Sequence, residues 1–562
     1  MKHNISVIVG TGLSGFIVLA AAIALGWYGF PALIAHEIKH GVLLVNGTEA
    51  YERWRKFPLA IQFKVYLFNV TNPEEVQNGA NPVVQEVGPY VYDQYREKFN
   101  ITDEGDYTLS YVQNSTFYFN KDKSGNLSED DVVTVLNTMI MGTALNVRRN
   151  FGPDLSMDPF LKEISPVSES IFLTATVRKL FWDGVTVINC TGDKLSSDAE
   201  MICGVLTPHL PVVVSEHEPG IFKMAYFRHK NASSNGRIRV NTGISDSRAL
   251  ARIEEWNGQP NLMTWSGEYC NSINGTDSTI FPPFWSPKDT VAIFEVELCR
   301  SLYAEFDSEL TWKGVPVFRY IGILHNFEDA QDFPPNICFC EQTNDVPPIC
   351  LKSGVLDLYS CLGVSMIMSL PHLYNASPDY HMYVQGLNPD KKKHETVIDI
   401  EQTNTRPIIN TNLTLFPIQG AELDDRNLAK VQRLYTVIRI FAVLKWLLIA
   451  AGVLLLCVSV YFYVFKRNSD TKITHMGDKN EVVFAYDNKT YVHEPEVKND
   501  ALSMTAISDI IRNEQISIKK RKSDRFPGRL NSGPEPNKTN ENVGLGVSRD
   551  VNSRLTLSNV FM

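Results

Sequence analysis

Three groups of residues have types and spacings that invite chemistry. The stretch ISVIVGTGLSGF, residues 5–16, contains a complete G-x-G-x-x-G in Gly10, Gly12 and Gly15. Glu37 follows about where a dinucleotide fold places the acid for a ribose hydroxyl. In NKDKSGNLSEDD, residues 120–131, Asn120, Asp122, Ser124, Gly125 and Asp131 fall on the ligand spacing of a calcium loop. Cys338, Cys340, Cys350 and Cys361 form a third group. Such thiols bind zinc in a reducing compartment and form disulfides in an oxidising one.

The elements around these residues decide between readings. A nucleotide-binding turn needs a strand before it and, after it, a helix with one solvated face. After Gly15 the chain runs FIVLAAAIALGWYGFPALIA, without one charged or amide side chain. A helix apolar all round is either wholly buried or in a membrane. Residues 4–35 carry no charge and no histidine, and neither do residues 446–465, WLLIAAGVLLLCVSVYFYVF. About 20 apolar helical residues cross a hydrocarbon core of about 30 Å, so two spans are expected. In that setting the glycines serve close helix approach: Gly10 and Ser14, Thr11 and Gly15, and Ala22 and Gly26 are spaced small-xxx-small. Trp27 and Tyr28 fit an interfacial aromatic belt. A cleaved signal peptide, with Ala20–Ala22 as its cleavage site, is the rival; its apolar region is usually about 7–15 residues, shorter than this one. The calcium loop starts on Asn and ends on Asp where Glu is usual, so a polar turn is the simpler reading.

The chain of 562 residues carries a net charge of −10, unevenly placed. Residues 466–562 hold 16 basic against 13 acidic side chains, and residues 30–465 hold 36 against 50. So acidic a middle speaks against nucleic acid as a partner. Basic residues flank the second span on both sides, Arg426, Lys430, Arg433, Arg439 and Lys445 before it and Lys466, Arg467, Lys472 and Lys479 after it. The positive-inside rule is therefore nearly silent. Cysteine is more informative. Cys457 lies within the second span, and the other eight all lie between the spans, which suggests disulfides in an oxidising space. Eight cysteines allow 105 connectivities, and Cys338 and Cys340 are too close in sequence to pair with each other.

These features divide the chain into a cytoplasmic N-terminus (1–6), a first span (7–29), an extracellular domain (30–440), a second span (441–465) and a cytoplasmic, mostly disordered tail (466–562). Both termini then lie on the cytoplasmic side of the plasma membrane. Glycosylation is expected at Asn46, Asn69, Asn100, Asn114, Asn126, Asn189, Asn231, Asn274, Asn375 and Asn412, which head N-x-S/T sequons in the middle. Strands are expected over 60–70, 90–99, 317–324 and 396–402, which are β-branched and aromatic. A helix is expected over 130–149, where Val132, Leu136, Met139 and Ala144 share a face. In the tail, residues 501–518 pattern as a short amphipathic helix through Leu502, Ala506 and Ile510, followed by KKRK at 519–522. That cluster reads equally as a leaflet-binding patch and as a solvated charge run. The chain has no G-x-S-x-G, H-E-x-x-H or Walker loop, so neither catalysis nor a cofactor is expected.

VYLFNVTNPEEVQNGANPVVQEVGPYVYDQY (65–95), CNSINGTDSTIFPPF (270–284), LCRSLYAEF (298–306), ICFC (337–340), GVLDLYSC (354–361), LPHLYNASPDY (370–380) and GLNPDKKKHETVIDIEQTN (386–404) follow one another in an order that resembles the class B scavenger receptors. FWDGVTVINCTG (181–192), MICG (201–204) and KNASSNGRIRVNTGISD (230–246) are most similar to the sensory neuron membrane proteins of insects, the second type preferred. The resemblance implies an antiparallel β-barrel ectodomain with a helical cluster at its apex and an internal hydrophobic tunnel toward the membrane. It also implies disulfides Cys270–Cys338, Cys299–Cys361 and Cys340–Cys350, leaving Cys190 and Cys203 as the remaining pair. The implied function is a receptor or co-receptor, not an enzyme. It captures lipophilic ligands such as fatty-acid-derived pheromones or odorants and passes them to membrane lipid or a partner odorant receptor, with odorant-binding proteins as possible carriers. The alternatives are a general lipid or particle scavenger or a lysosomal sorting receptor of the same fold and, from the glycine motif, a membrane-bound oxidoreductase. Two departures stand out. Residues 405–427 are shorter than the family pattern, with a strand or more missing, and the apex base of relatives has no clear match, Lys162 standing nearest.

Overall fold

In a computed structural model of the chain, the described residues are 2–142, 162–192, 195–206, 210–234, 236–341, 348–363, 366–401, 407–408, 418–420 and 425–477. By its contacts the chain divides into two units. The first runs through Ser459; of the second, Val460–Val551, the described part is the end of the last helix.

Residues 2–41 form one helical run, with a π-helical turn at Leu25–Gly29. The glycine motif lies inside it, with no strand before it, so it cannot form a phosphate-binding turn. The last helix, Asp425–Gly477, is the second long apolar one. By length and composition both can cross a membrane, over Ile5–Gly41 and Gln432–Asn468. Within the first unit they pack through their small residues. A Cβ on Gly15 would stand 2.9 Å from the Leu456 amide nitrogen, and one on Gly452 would stand 2.9 Å from that of Leu19. Ser459 Oγ donates to the Ile8 carbonyl at 2.8 Å, as the close backbone approach allows. Phe30 stacks on Phe441, and Lys445 Nζ lies 4.3 Å from the centroid of the Trp27 ring. A Cβ on Gly10 would meet nothing within 4 Å, so Gly10 takes no part in this approach.

Between the helices the chain is mostly antiparallel strand. In order these are β1 (Ile61–Val70), β2 (Val84–Asp103), β3 (Thr108–Phe119), β4 (Val132–Leu136), β5 (Phe172–Thr176), β6 (Val185–Asn189), β7 (Val214–Glu218), β8 (Ile221–Met224), β9 (Arg237–Asn241) and β10 (Ile253–Trp256). There follow β11 (Val291–Glu295), β12 (Arg300–Trp312), β13 (Val315–Gly322), β14 (Val355–Asp357), β15 (Ile367–Ser369), β16 (Val397–Glu401), β17 (Pro407–Ile408) and β18 (Ile418–Gly420). A six-stranded sheet has the order β10-β9-β3-β2-β1-β18, and a five-stranded sheet the order β11-β12-β13-β16-β17. The strands expected from β-branched and aromatic runs coincide with β1, part of β2, β13 and β16.

One expectation needs correction. Residues 132–136 are not helical. Their Val-Val-Thr-Val favours the extended state, and they pair with β5 from Val132 opposite Thr176 to Leu136 opposite Phe172. Helix begins only at residue 138. The last part of the expected helix, 143–149, falls outside the described residues. Among the described residues the sheets form a half-barrel. β18 ends the first sheet at β1, β17 ends the second at β16, and no ladder joins these edges among the described residues. Both short strands come from the abbreviated 405–427 stretch.

An aromatic core centred on Phe63, Tyr90, Tyr92 and Phe181 fills the space between the first sheet and β4–β8, and Phe281, Val291, Phe318, Tyr320 and Ile398 pack at the second.

Candidate ligand cavity between the sheets

Strand side chains alternate between faces, and one face of each large sheet is turned to a shared cavity of about 720 Å³. β1 contributes Ile61 and Phe63, β2 Gln94 and Arg96, and β3 Tyr111, Gln113, Ser115 and Phe117. From the other side come Val291, Ile293 and Glu295 of β11, Leu302 and Ala304 of β12, Ile321 of β13 and Ile398 of β16. About half of the lining residues are aliphatic or aromatic, which suits an apolar chain.

Within it lies a polar island. The Lys230 ammonium is bonded to the Glu297 carboxylate. Arg96 stands within electrostatic reach of Glu295 and Glu297. Burial lowers the pKa of the Arg96 guanidinium and of the Lys230 ammonium, against the pull of these acids. Burial, reinforced by the neighbouring Glu297 charge, pushes the Glu295 carboxyl up to about 6. Gln94 Nε2 donates to Ser115 Oγ at 3.1 Å, while Gln94 Oε1 is buried with no hydrogen-bond partner. Such an atom in a cavity wall is an acceptor waiting for a donor.

A second buried charge group closes off beside the island. Lys98, on β2, is 2% exposed and pairs with Asp277 at 3.5 Å. Its Nζ also donates to the Trp54 carbonyl at 3.1 Å and to Thr279 Oγ1 at 2.9 Å. Asp277 Oδ2 in turn accepts from Tyr111 Oη at 2.8 Å and Trp54 Nε1 at 3.0 Å. Desolvation lowers the Lys98 pKa and raises that of Tyr111. The knot ties the short helix Glu49–Arg55, which follows the first long helix, to β2, β3 and the 277–279 turn.

Disulfides join Cys190 to Cys203, Cys270 to Cys338, Cys299 to Cys361 and Cys340 to Cys350. Cys457 is free. Among the sequon residues, Asn46, Asn100, Asn126, Asn189, Asn231, Asn274 and Asn375 are exposed, while Asn69 and Asn114 are half-buried. Asn69 Oδ1 accepts from the Thr134 amide at 2.8 Å. Asn412 lies outside the described residues, as do 501–522 of the tail. Lys162 is exposed and described, without its neighbours at 143–161.

The calcium-loop residues are engaged in a turn. Asn120 Oδ1 accepts from the Lys123 amide at 3.0 Å, Ser124 Oγ accepts from the Val91 amide at 2.9 Å, and Asp131 Oδ2 accepts from the Ser128 amide at 2.9 Å. Among the described residues, no three His, Cys, Asp or Glu side chains gather as a metal site would need.

Sequence reasoning did not find the island. Its acids and bases lie on strands far apart in the chain and join no motif. The one local signal is alternation in DQYREKF (93–99), where Gln94, Arg96 and Lys98 share a face with no apolar residue among them.

The CD36 family profile matches residues 13–411. Sensory neuron membrane protein 1 of Apis mellifera is 32% identical over 509 residues, which cover 84% of this chain and 94% of that one. Sensory neuron membrane protein 2 of Heliothis virescens is 36% identical over 408 residues, 71% and 77% of the two chains. Sensory neuron membrane protein 1 of Pediculus humanus subsp. corporis is 31% identical over 495 residues, 82% and 92%. With two terminal apolar helices around a large, mostly sheet ectodomain, the chain is a membrane protein that belongs to the CD36 family, the class B scavenger receptors.

Proposed function

We propose that the protein is a sensory receptor or co-receptor that takes up lipophilic ligands, such as fatty-acid-derived pheromones or odorants, into the cavity between its sheets. It then passes them along a tunnel toward membrane lipid or a partner odorant receptor. The observation that carries this reading is the cavity of about 720 Å³, about half of whose lining residues are aliphatic or aromatic, with a buried polar island among them. The names of the relatives, all sensory neuron membrane proteins, supply the sensory setting. A long chain is costly to expose to water, at about 0.8 kcal/mol per CH₂, and an apolar conduit lowers that cost between a carrier and the bilayer. In this reading the protein is not an enzyme. It sits in the plasma membrane with residues 1–6 and 466–562 in the cytoplasm, spans at 7–29 and 441–465, and residues 30–440 outside, glycosylated at its exposed sequons. Odorant-binding proteins are the natural carriers, and a full barrel wall is part of the proposal.

The test is uptake by the full chain in lipid nanodiscs. A radiolabelled long-chain ester or fatty acid is offered from a soluble carrier and its arrival in acceptor vesicles is followed. Saturable uptake with transfer faster than in empty nanodiscs is expected. Equal rates with and without the protein contradict the reading.

A further inference from the structure

Arg300 opens β12 and is 4% exposed, yet nothing balances its charge. Among the described residues no carboxylate pairs with it, and its Nε is buried without a hydrogen-bond partner. Its neighbour in the ladder is an acid, Glu295. That side chain turns instead into the large cavity, where it stands with Glu297, Lys230 and Arg96. The Arg300 guanidinium lies 3.7 Å from the centroid of the Phe339 ring and lines a second, neighbouring pocket of about 210 Å³. Burial lowers its pKa to about 10, the nearby Tyr269 and Tyr303 opposing the shift. An arginine remains charged even so, and a buried charge without a counter-ion is costly. Contact with one ring offsets only part of that cost.

Four aromatic rings, Tyr269, Tyr303, Phe333 and Phe339, line the pocket beside His325, with Ser272, Ser301, Asn326 and Asn336 as neutral polar neighbours. None of these supplies a second free cation. His325 is paired with Glu328 and stacks on Phe333. Asn336 Nδ2 is used by the His325 and Glu328 carbonyls, at 2.8 and 2.7 Å. The pocket therefore holds one positive charge with a planar fork of donors, surrounded by surfaces that suit a carbon skeleton.

We propose that this pocket binds a small organic carboxylate, its two oxygens held by the Arg300 guanidinium and its carbon body lying between the aromatic walls. A single positive charge matches a monoanion better than a phosphate dianion, and the guanidinium fork matches the two carboxylate oxygens. Tyr269, 47% exposed, forms the rim. Asn274, whose Nδ2 donates to Tyr303 Oη at 3.1 Å, places a sequon beside the entrance. The pocket borders the large cavity through Tyr303, Ile323 and Asn326, which line both, but Arg300 lines this pocket alone, and the proposal does not rest on lipid transfer.

The experiment is isothermal titration of the full chain in detergent with sodium hexanoate and sodium benzoate at fixed ionic strength, with hexanamide as the uncharged control. Saturable binding of at least one carboxylate near one per chain is expected, with hexanamide at least about tenfold weaker. Arg300→Gln is expected to lose at least about tenfold in affinity. Ser115→Trp, placed in the large cavity, is expected to retain binding. Three results each overturn the proposal: no saturation by either acid, equal binding of acid and amide, or loss of binding in Ser115→Trp with retention in Arg300→Gln. Binding of chloride or inorganic phosphate alone overturns it as well. Should Arg300→Gln fail to fold, Tyr269→Ala at the exposed rim replaces it: a several-fold loss for the carboxylates supports the site, and unchanged affinity overturns it.

Discussion

Arg96 and Lys98 stand two places apart on the same face of β2, and both are taken out of bulk water, yet their surroundings differ in kind. Lys98 is enclosed by Asp277, the Trp54 carbonyl and Thr279 Oγ1, with the Trp54 and Tyr111 rings 5.0 and 5.1 Å from its Nζ. Arg96 belongs to a charge group whose members line a cavity. The difference teaches that burial of charge does not by itself mark a site. In the Lys98 knot the ammonium is fully enclosed by its partners and secures the chain, although two of the knot's members, Tyr111 and Asp277, also reach the cavity wall. The island faces open volume, where its donors and acceptors can meet a ligand.

Breaking the knot has the largest expected effect. Asp277→Ala leaves Lys98 an uncompensated buried charge and costs about 3–5 kcal/mol, measured as a drop in thermal midpoint of the full chain in detergent. If the midpoint holds, Lys98 is better solvated than its 2% exposure implies.

Lys230→Met attacks the island in the same way and is expected to cost less, about 1–3 kcal/mol, because cavity water can hydrate Glu297. Its signature is in ligand affinity, which should change at least several-fold, whereas Asp277→Ala, whose carboxylate also reaches the cavity wall, is set apart by its larger loss of stability. Side-by-side denaturation and ligand titration separate the two. Equal stability losses with no affinity change in Lys230→Met erase the distinction drawn here.

The Glu295 carboxyl sharpens it through pH. A carboxyl raised to about 6 by burial and by Glu297 binds its proton more tightly in the folded chain than in the unfolded one. Its stabilising contribution is complete below the unfolded value near 4.5 and is lost as pH rises through about 6. Glu295→Gln should therefore flatten the stability profile between about pH 4.5 and pH 6. Below pH 6 the island also becomes more positive, and a carboxylate ligand should bind the wild type more tightly there than at pH 7.5, with the trend reduced in Glu295→Gln. Melting curves and titrations across that range check both parts. Identical profiles for the two proteins place Glu295 outside the island's electrostatics.

The smallest effect is expected at Gln94, whose Oε1 is buried without a partner. Gln94→Leu removes that atom and should leave stability within about 1 kcal/mol while weakening ligands that carry a hydroxyl donor more than their esters. A competition series of long-chain alcohol against acetate reads the difference. No change in preference means that the ligand does not reach this wall.

The sequence carried the strands and the two long helices because both signals are local. Apolar alternation marks β1, and the missing polar face after Gly15 separates a membrane helix from a nucleotide-binding turn, whatever the motif suggests. The structure refines that reading, since Gly15 and Gly452 form the close approach and Gly10 does not. Residues 132–136 were misread because Val132, Leu136 and Met139 satisfy helical spacing while their β-branched neighbours pair with β5, about 40 positions away. The cavity was not legible for the same kind of reason. Gln94, Arg96, Gln113 and Ser115 look like the solvent face of a strand until a second sheet, from residues 291–401, is laid over them. Disulfide partners were equally hidden from spacing and came from resemblance alone.

The central claim is that the volume between the sheets is the ligand's place. Ser115→Trp puts an indole into that volume from β3, opposite Arg96 in the ladder. Transfer of a labelled long-chain ester from carrier to acceptor vesicles, measured for the folded full-length variant in nanodiscs beside the wild type, should fall at least about tenfold with an unchanged thermal midpoint. Wild-type transfer in a folded Ser115→Trp protein would contradict the account.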